Sequence, residues 1–199
     1  MINGKRILAI IPARGGSKRL PRKNVLPLAG KPLIGWTIEA AQQSKYIDDI
    51  FVSTDCDEIA SVAEKFVVSV PELRPKELGT DTSTTQDVIL YTLEKFGSDS
   101  DVIIILQPTS PLRNAKHIDN ALALFENKNA FSVVSVTPCE HSPLWANTLP
   151  IDNSMGEFIR PQGLKRSQDL EQYYRLNGAI YIYNIKQLKQ LQKLAYTDE

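Results

Sequence analysis

Five consecutive apolar residues, Val102-Ile-Ile-Ile-Leu106, separate Asp101 from Gln107-Pro108. A run that short, β-branched and closed by punctuation residues predicts a strand buried on both faces. Ile7 to Ile11 has the same character and breaks at Pro12. Further strands are predicted at Asp49 to Ser53, Val67 to Val70, Ala130 to Val136 and Gly178 to Tyr183. Helical patterns fall between them, at Pro32 to Ser44, Asp57 (as the cap) to Phe66, Ser83 to Phe96, Asn114 to Asn127 and Ile185 to Leu194. Near-continuous apolar strands alternating with helices predict an α/β fold with three layers. The sheet is expected to be mainly parallel, with helices on both faces. Residues 137 to 177 break this rhythm with Pro138, Pro143, Pro150 and Pro161. They read as a protruding excursion: a lid, a small subdomain or a dimer arm.

The 199 residues are enough for one substantial core and short for two full domains, so residues 1 to 199 read as a single domain. A net charge of +0 argues against bulk attraction to nucleic acid or an anionic membrane. The charge is unevenly placed, however. No Asp or Glu precedes Glu39, while eight Lys or Arg residues lie within the first 31 positions. Such a local positive field suits a small anion. The two cysteines, Cys56 and Cys139, fit no metal spacing, and no secretory signal opens the chain. The expectation is a cytoplasmic protein with reduced thiols, no nucleic-acid partner and no membrane span. The last residues, Ala-Tyr-Thr-Asp-Glu, read as an unfinished C-terminus.

Pro12 opens a loop holding Arg14, Gly15, Gly16, Ser17, Lys18, Arg19, Arg22 and Lys23. Glycines that let backbone N–H groups approach an anion, together with five cations, are a physical recipe for holding phosphates. The loop is not the G-x-x-x-x-G-K-[ST] motif, because Pro32 follows Gly30-Lys31, and no G-x-G-x-x-G occurs. In open α/β sheets ligands bind beyond the carboxyl ends of strands. The loops 12–24, 53–55 and 107–113 are therefore expected to converge on one crevice.

Four ordered segments carry a resemblance. Ile-Pro-Ala-Arg-Gly-Gly-Ser-Lys-Arg-Leu-Pro-Arg-Lys-Asn (11–24) resembles the signature of the acylneuraminate cytidylyltransferases, the CMP-sialic acid synthetase family. Leu73-Arg-Pro-Lys-Glu-Leu-Gly-Thr-Asp-Thr-Ser-Thr-Thr85, Leu106-Gln-Pro-Thr-Ser-Pro-Leu-Arg113 and Arg175-Leu-Asn-Gly-Ala-Ile-Tyr181 are similar to its next three motifs. The resemblance implies a Rossmann-like nucleotidyltransferase that joins CTP to a nine-carbon α-keto acid sugar with Mg²⁺, releasing pyrophosphate. It also implies a homodimer whose arm is the 137–177 segment. An eight-carbon relative, 3-deoxy-manno-octulosonate cytidylyltransferase, shares part of the first motif. That branch tends to have Lys-Pro where this chain has Lys23-Asn24, and another residue in place of Gly16. A reading from a different class is a CTP-binding homologue without catalysis.

Matched residue by residue, the resemblance makes Arg14, Lys18 and Lys23 catalytic phosphate ligands. Gly15, Gly16, Ser17, Asn24, Arg74, Ser83 and Thr85 join them in binding nucleotide. Gln107, Gln168, Asp169, Arg175 and Asn177 fall on the acceptor side, with Arg175 preferred for an acceptor carboxylate. Other readings stand beside these. Arg19 and Arg22 read equally well as solvated charges, and Arg74 as a helix cap or an ion pair with Glu77. The Ser83-Thr84-Thr85 run also reads as a helix cap, and Arg113 as a loop anchor. Thr85 departs from the Ser of some members, and Glu171 stands where many relatives carry Pro. His141 and Ser142 make no hydrolase elbow, and His117 reads as a surface or packing residue. Asp55 and Asp81 read as metal-positioning groups or as caps, and Cys56 beside Asp55 reads as coincidence. The family's Asp-x-Asp metal motif belongs some 25 residues past Tyr181, and Glu199 comes first. The metal ligands are therefore unknown, and the chain is expected to be a shortened version of a longer enzyme or a weakly active relative.

Overall fold

The computed structural model describes residues 1–80, 82–97, 99–191 and 194. In chain order the elements are β1 (Ile7–Pro12), β2 (Pro27–Leu28), β3 (Lys31–Pro32), α1 (Leu33–Gln42), β4 (Asp49–Ser53), α2 (Asp57–Lys65), α3 (Thr85–Phe96), β5 (Val102–Ile105), α4 (Ala115–Lys128), β6 (Ser132–Pro138), β7 (Tyr174–Asn184) and α5 (Ile185–Leu191). Five strands form one sheet in the order β4-β1-β5-β7-β6, and β2 and β3 pair separately as a small hairpin. Neither the hairpin nor its turn, with Ala29 and Gly30 at positive φ, is anticipated from the sequence.

β1 runs parallel to β4, with Leu8 opposite Asp49 and Pro12 opposite Ser53, and parallel to β5, with Ile7 opposite Val102. β7 then runs antiparallel to β5, placing Ile105 opposite Tyr181. The parallel character thus belongs to the three strands that deliver the converging loops. Alternation along the central strands sorts their side chains into two layers. Ile7, Ala9, Ile11, Val102 and Ile104 pack with Ile34, Ile38, Ile59, Ala63, Ile118 and Leu122 of α1, α2 and α4. Leu8, Ile10, Ile103 and Ile105 pack on the other face with Ile89 and Leu93 of α3 and Leu188 of α5. Each such Ile, Leu or Val adds about 1.5–3 kcal/mol by leaving water, which is why β1 and β5 occupy the middle of the sheet.

The chain divides into two compact units, one of residues 1–135 with 178 onward, the other of residues 136–177. The second is mostly irregular chain with three short 3-10 turns, at Pro143–Trp145, Pro161–Gly163 and Ser167–Asp169. Among the described residues no helix is long and apolar enough to cross a membrane.

Two local expectations change. Asp57 is not the cap of α2 but its first residue; Cys56 holds the cap position without a side-chain hydrogen bond. The Asp57 and Glu58 charges instead favour the positive end of the helix. Val67 to Val70 is not a strand. The Val67 N–H donates to the Glu64 carbonyl at 2.9 Å and the Val68 N–H to that of Ala63 at 3.1 Å, the paired bonds that close a helix end. Val68 drops into the core, and Val67 is 89% exposed at φ 62°. A β-branched residue pays for that conformation. Val67→Gly should therefore stabilise the protein by about 1 kcal/mol and raise Tm by roughly 2–4 °C in a thermal melt. An unchanged or lower Tm would contradict this account of the turn. The predicted reach of α5 to Leu194 extends past the described helix, and residues 192 and 193 lie outside the described residues.

Candidate functional site

Past Pro12 the β1 backbone continues its ladder for one more residue, with the Ala13 N–H donating to the Ser53 carbonyl at 2.9 Å. The basic loop then turns over the ends of β1 and β4. Asn24 is buried and staples it: its Nδ2 donates to the Arg14 carbonyl at 3.1 Å, and its own carbonyl accepts from the Ile34 N–H at 2.9 Å. The Arg14 guanidinium reaches across to the Thr80 carbonyl at 3.1 Å.

Arg74 forms the second wall. Its N–H donates to the Thr54 carbonyl at 2.8 Å, so it follows the end of β4 closely. Its side chain is 4% exposed and lies 3.6 Å from Asp55, not against Glu77. Burial pulls the Arg74 guanidinium below the ordinary arginine range; Asp55 opposes that shift and the Arg14 charge adds to it. Its Nε is buried without a partner among the described atoms. Thr84 caps α3, accepting from the Asp87 N–H at 3.1 Å while Asp87 accepts from the Thr84 N–H at 3.0 Å. This is the capping alternative read for the Ser-Thr-Thr run. Ser83 and Thr85 on either side of it line the cavity, with the Ser83 hydroxyl donating to the Glu77 carbonyl at 2.5 Å.

The third wall is Gln107-Pro108-Thr109, past β5. Arg113 fixes it as a loop anchor: it is 5% exposed and donates to the carbonyls of Gln107 (3.1 Å) and Ala179 (2.8 Å) and to Thr37 Oγ1 (2.7 Å). Burial pushes its pKa down to about 10, which leaves it charged at neutral pH. Gly178 sits at φ 73°, and a Cβ there would stand 2.8 Å from Gln107 Oε1. Its conformation favours glycine, and a side chain there would push the Gln107 amide aside.

Together these walls enclose a cavity of ≈390 Å³. Of the residues chosen from sequence, Arg14, Ser17, Lys23, Asn24, Arg74, Ser83, Thr85 and Gln107 line it. Thr84, read from sequence with its two neighbours as a donor or a cap, lines it too; Leu78, Thr80, Val88 and Thr109 were missed, although Leu78, Thr80 and Thr109 lie inside the motifs already quoted. Three cations face this space, and no carboxylate lines it among the described residues. That distribution favours a polyanion.

Some sequence-chosen residues sit elsewhere. Gly15 and Gly16 do not line the cavity. The Gly15 N–H is already given to Asp55 Oδ1 at 2.9 Å, so it is not open to an anion. A Cβ at Gly15 would stand 2.8 Å from Cys56 Cβ, so the glycine serves close packing and the Cys56 neighbourhood is no coincidence. Lys18 is exposed on the loop next to Ser17, and Arg22 is engaged by Glu58. Asp55 accepts from the Gly15 N–H and faces Arg74 through the same oxygen, Oδ1. Asp81 lies outside the described residues. His117 is exposed and closes the α4 cap with Asn114. In the second unit, Gln168 and Asp169 lie in the Ser167–Asp169 turn, where Asp169 pairs with Arg166 at 2.7 Å. Arg175 and Asn177 are exposed on β7.

Comparison with known proteins bears on this geometry. A model of the cytidylyltransferase family matches residues 8–198. The chain is 45% identical over 192 residues to the CMP-N,N'-diacetyllegionaminic acid synthase of Legionella pneumophila, which covers 92% of this chain and 80% of that protein. It is 39% identical over 179 residues to the N-acylneuraminate cytidylyltransferase of Streptococcus agalactiae serotype V, spanning 89% of this chain and 43% of that longer protein. It is 35% identical over 177 residues to the pseudaminic acid cytidylyltransferase of Campylobacter jejuni serotype O:2, covering 87% and 76%. A solved CMP:2-keto-3-deoxy-manno-octonic acid synthetase complexed with CTP superimposes with a TM-score of 0.73 over 96% of this chain and 79% of that one. Its 20% identity makes this a likeness of fold.

Proposed function

Since the chain belongs to the cytidylyltransferase family, we propose that it transfers CMP from CTP to the anomeric hydroxyl of a nine-carbon α-keto acid sugar and releases pyrophosphate. The observation that carries this reading is the cavity at the strand ends, where Arg14, Lys23 and Arg74 face in and no described carboxylate does. A triphosphate carries about four negative charges, and fixed cations in a partly enclosed site stabilise the charge that grows on it during transfer. The names of the similar proteins, built on legionaminic, N-acylneuraminic and pseudaminic acids, support the sugar class.

The acceptor's C2 hydroxyl attacks the α-phosphorus in line and gives up its proton to solvent as the new P–O bond forms, while the bond to pyrophosphate breaks on the opposite side. Arg14, Lys23 and Arg74 hold the phosphates; Lys18, following Ser17 on the loop, meets them from the solvent side. Gln107, held by Arg113 and given room by Gly178, hydrogen-bonds acceptor hydroxyls. Mg²⁺ belongs to this proposal as the ion that accompanies a triphosphate and neutralises part of its charge. Among the described residues no group of three or more His, Cys, Asp or Glu side chains could hold a metal. A cytoplasmic homodimer completes the reading, supported by the exposed Leu149, Ile151, Met155 and Leu164 of the second unit.

The test is to incubate the protein with CTP, Mg²⁺ and, separately, N-acetylneuraminic, legionaminic, pseudaminic and eight-carbon 3-deoxy-manno-octulosonic acids. Product is followed by anion-exchange chromatography. A CMP-sugar from at least one nine-carbon acid, with matching pyrophosphate, is expected. No product from any of the three, or product from the eight-carbon acid alone, contradicts the proposal.

A further inference from the structure

We propose that Asp55 is the positioning residue of the nucleotide site, acting through the cations that face the cavity. It does not line the cavity itself. Its largely buried carboxylate lies where three segments, distant in sequence, meet. Oδ1 accepts from the Gly15 N–H at 2.9 Å, fixing the backbone directly after Arg14. The same oxygen lies 3.6 Å from the Arg74 guanidinium. On its other side is the Lys76–Gly79 turn, where a Cβ on Gly79 would stand 2.8 Å from Asp55 Cγ. That turn leads into Thr80, whose carbonyl accepts from Arg14. One carboxylate thus touches the backbone beside Arg14, the head of Arg74 and the turn that receives Arg14.

This arrangement also answers an electrostatic question. A negative charge close to a triphosphate site should weaken anion binding unless it is offset. Here the carboxylate holds the backbone beside Arg14 and the head of Arg74, and its attraction for Arg74 opposes the repulsion that the Arg14 charge exerts on that guanidinium. Shape and charge in the cavity therefore depend on a residue that substrate need not touch. Misplacement by about 1 Å is enough to cost such a site around 10²-fold.

The inference rests on the reading of the cavity as a CTP site. Its test is Asp55→Asn, which keeps an acceptor for Gly15 and removes the charge facing Arg74, beside Gly79→Ala, which keeps the charge and displaces the carboxylate. CTP binding is measured by calorimetry without acceptor, followed by steady-state kinetics and circular dichroism. Both variants should bind CTP at least 10-fold more weakly and lose about 10²-fold in kcat/KM for CTP, with the acceptor KM unchanged. If Asp55 were merely a nearby negative charge, Asp55→Asn would bind CTP more tightly and Gly79→Ala would bind it normally. Either result overturns the inference, and Gly79→Ala decides alone if Asp55→Asn does not fold. Wild-type protein that fails to bind CTP overturns the function proposed above and this inference with it. Wild-type protein that binds CTP no better than both variants overturns this inference alone.

Discussion

Replacing Arg74 by Ala should lower kcat/KM for CTP by about 10²–10³-fold, the usual loss when one preorganised donor to developing charge is removed. The side chain is buried, held by Thr54 through its backbone and by Asp55 through its head, so it is fixed before substrate arrives. Its unpartnered Nε is a donor without a described acceptor. Arg74→Lys keeps a charge but cannot reproduce a planar fork reaching both the Ser53 carbonyl and Asp55. It should recover less than a tenth of the lost kcat/KM. Kinetics in saturating acceptor, with urea unfolding of each variant as control, checks both statements. A folded Arg74→Ala protein with near-normal kcat/KM would remove Arg74 from the site.

The second large effect is on stability. Arg113→Ala should cost about 3–5 kcal/mol, because it removes the guanidinium donor to the buried Thr37 Oγ1, takes one hydrogen bond each from the partly buried Gln107 and Ala179 carbonyls, and opens a cavity. Below its pKa of about 10 the guanidinium is charged, so the penalty should be the same at pH 6 and pH 8. Urea titrations at those two values measure it. A cost under about 1 kcal/mol would mean that water replaces these bonds and that Arg113 is not the anchor of the Gln107 loop.

How much of this was legible in the chain follows from the range of each interaction. β1 and β5 announced themselves because burial on both faces writes an unbroken apolar run. Their C-terminal ends marked the crevice, since three loops past three parallel strands must meet there. The antiparallel direction of β7 left no such trace; a strand of one composition can pair either way. Val67 to Val70 misled because Val-Val-Ser-Val, rich in β-branched residues, reads the same as a strand and as a helix end that turns one valine out and the next one in.

In the site, the basic loop at a strand end was readable as a place for an anion, but which of its five cations line the cavity, Arg14 and Lys23, was not. The roles of Gly15 and Asp55 were not. A glycine beside cations reads as an anion cradle, and only the approach of two loops 40 residues apart shows its N–H committed to a carboxylate. Gly79 is the same case: nothing in Lys76-Glu-Leu-Gly79 tells that a carboxylate occupies the space a Cβ would need. The Thr84 cap, by contrast, follows local rules, so its alternative reading was available from sequence.

The central claim is that the cavity lined by Arg14, Lys23 and Arg74 grips a triphosphate. Calorimetric titration of the protein with CTP, CDP, CMP and cytidine at low and high salt tests it most directly. Affinity should fall at each removed phosphate, the CTP value should weaken as salt rises, and Arg14→Ala and Lys23→Ala should bring CTP toward the CMP value. Cytidine binding as tightly as CTP, or CTP affinity indifferent to both substitutions, would contradict the account.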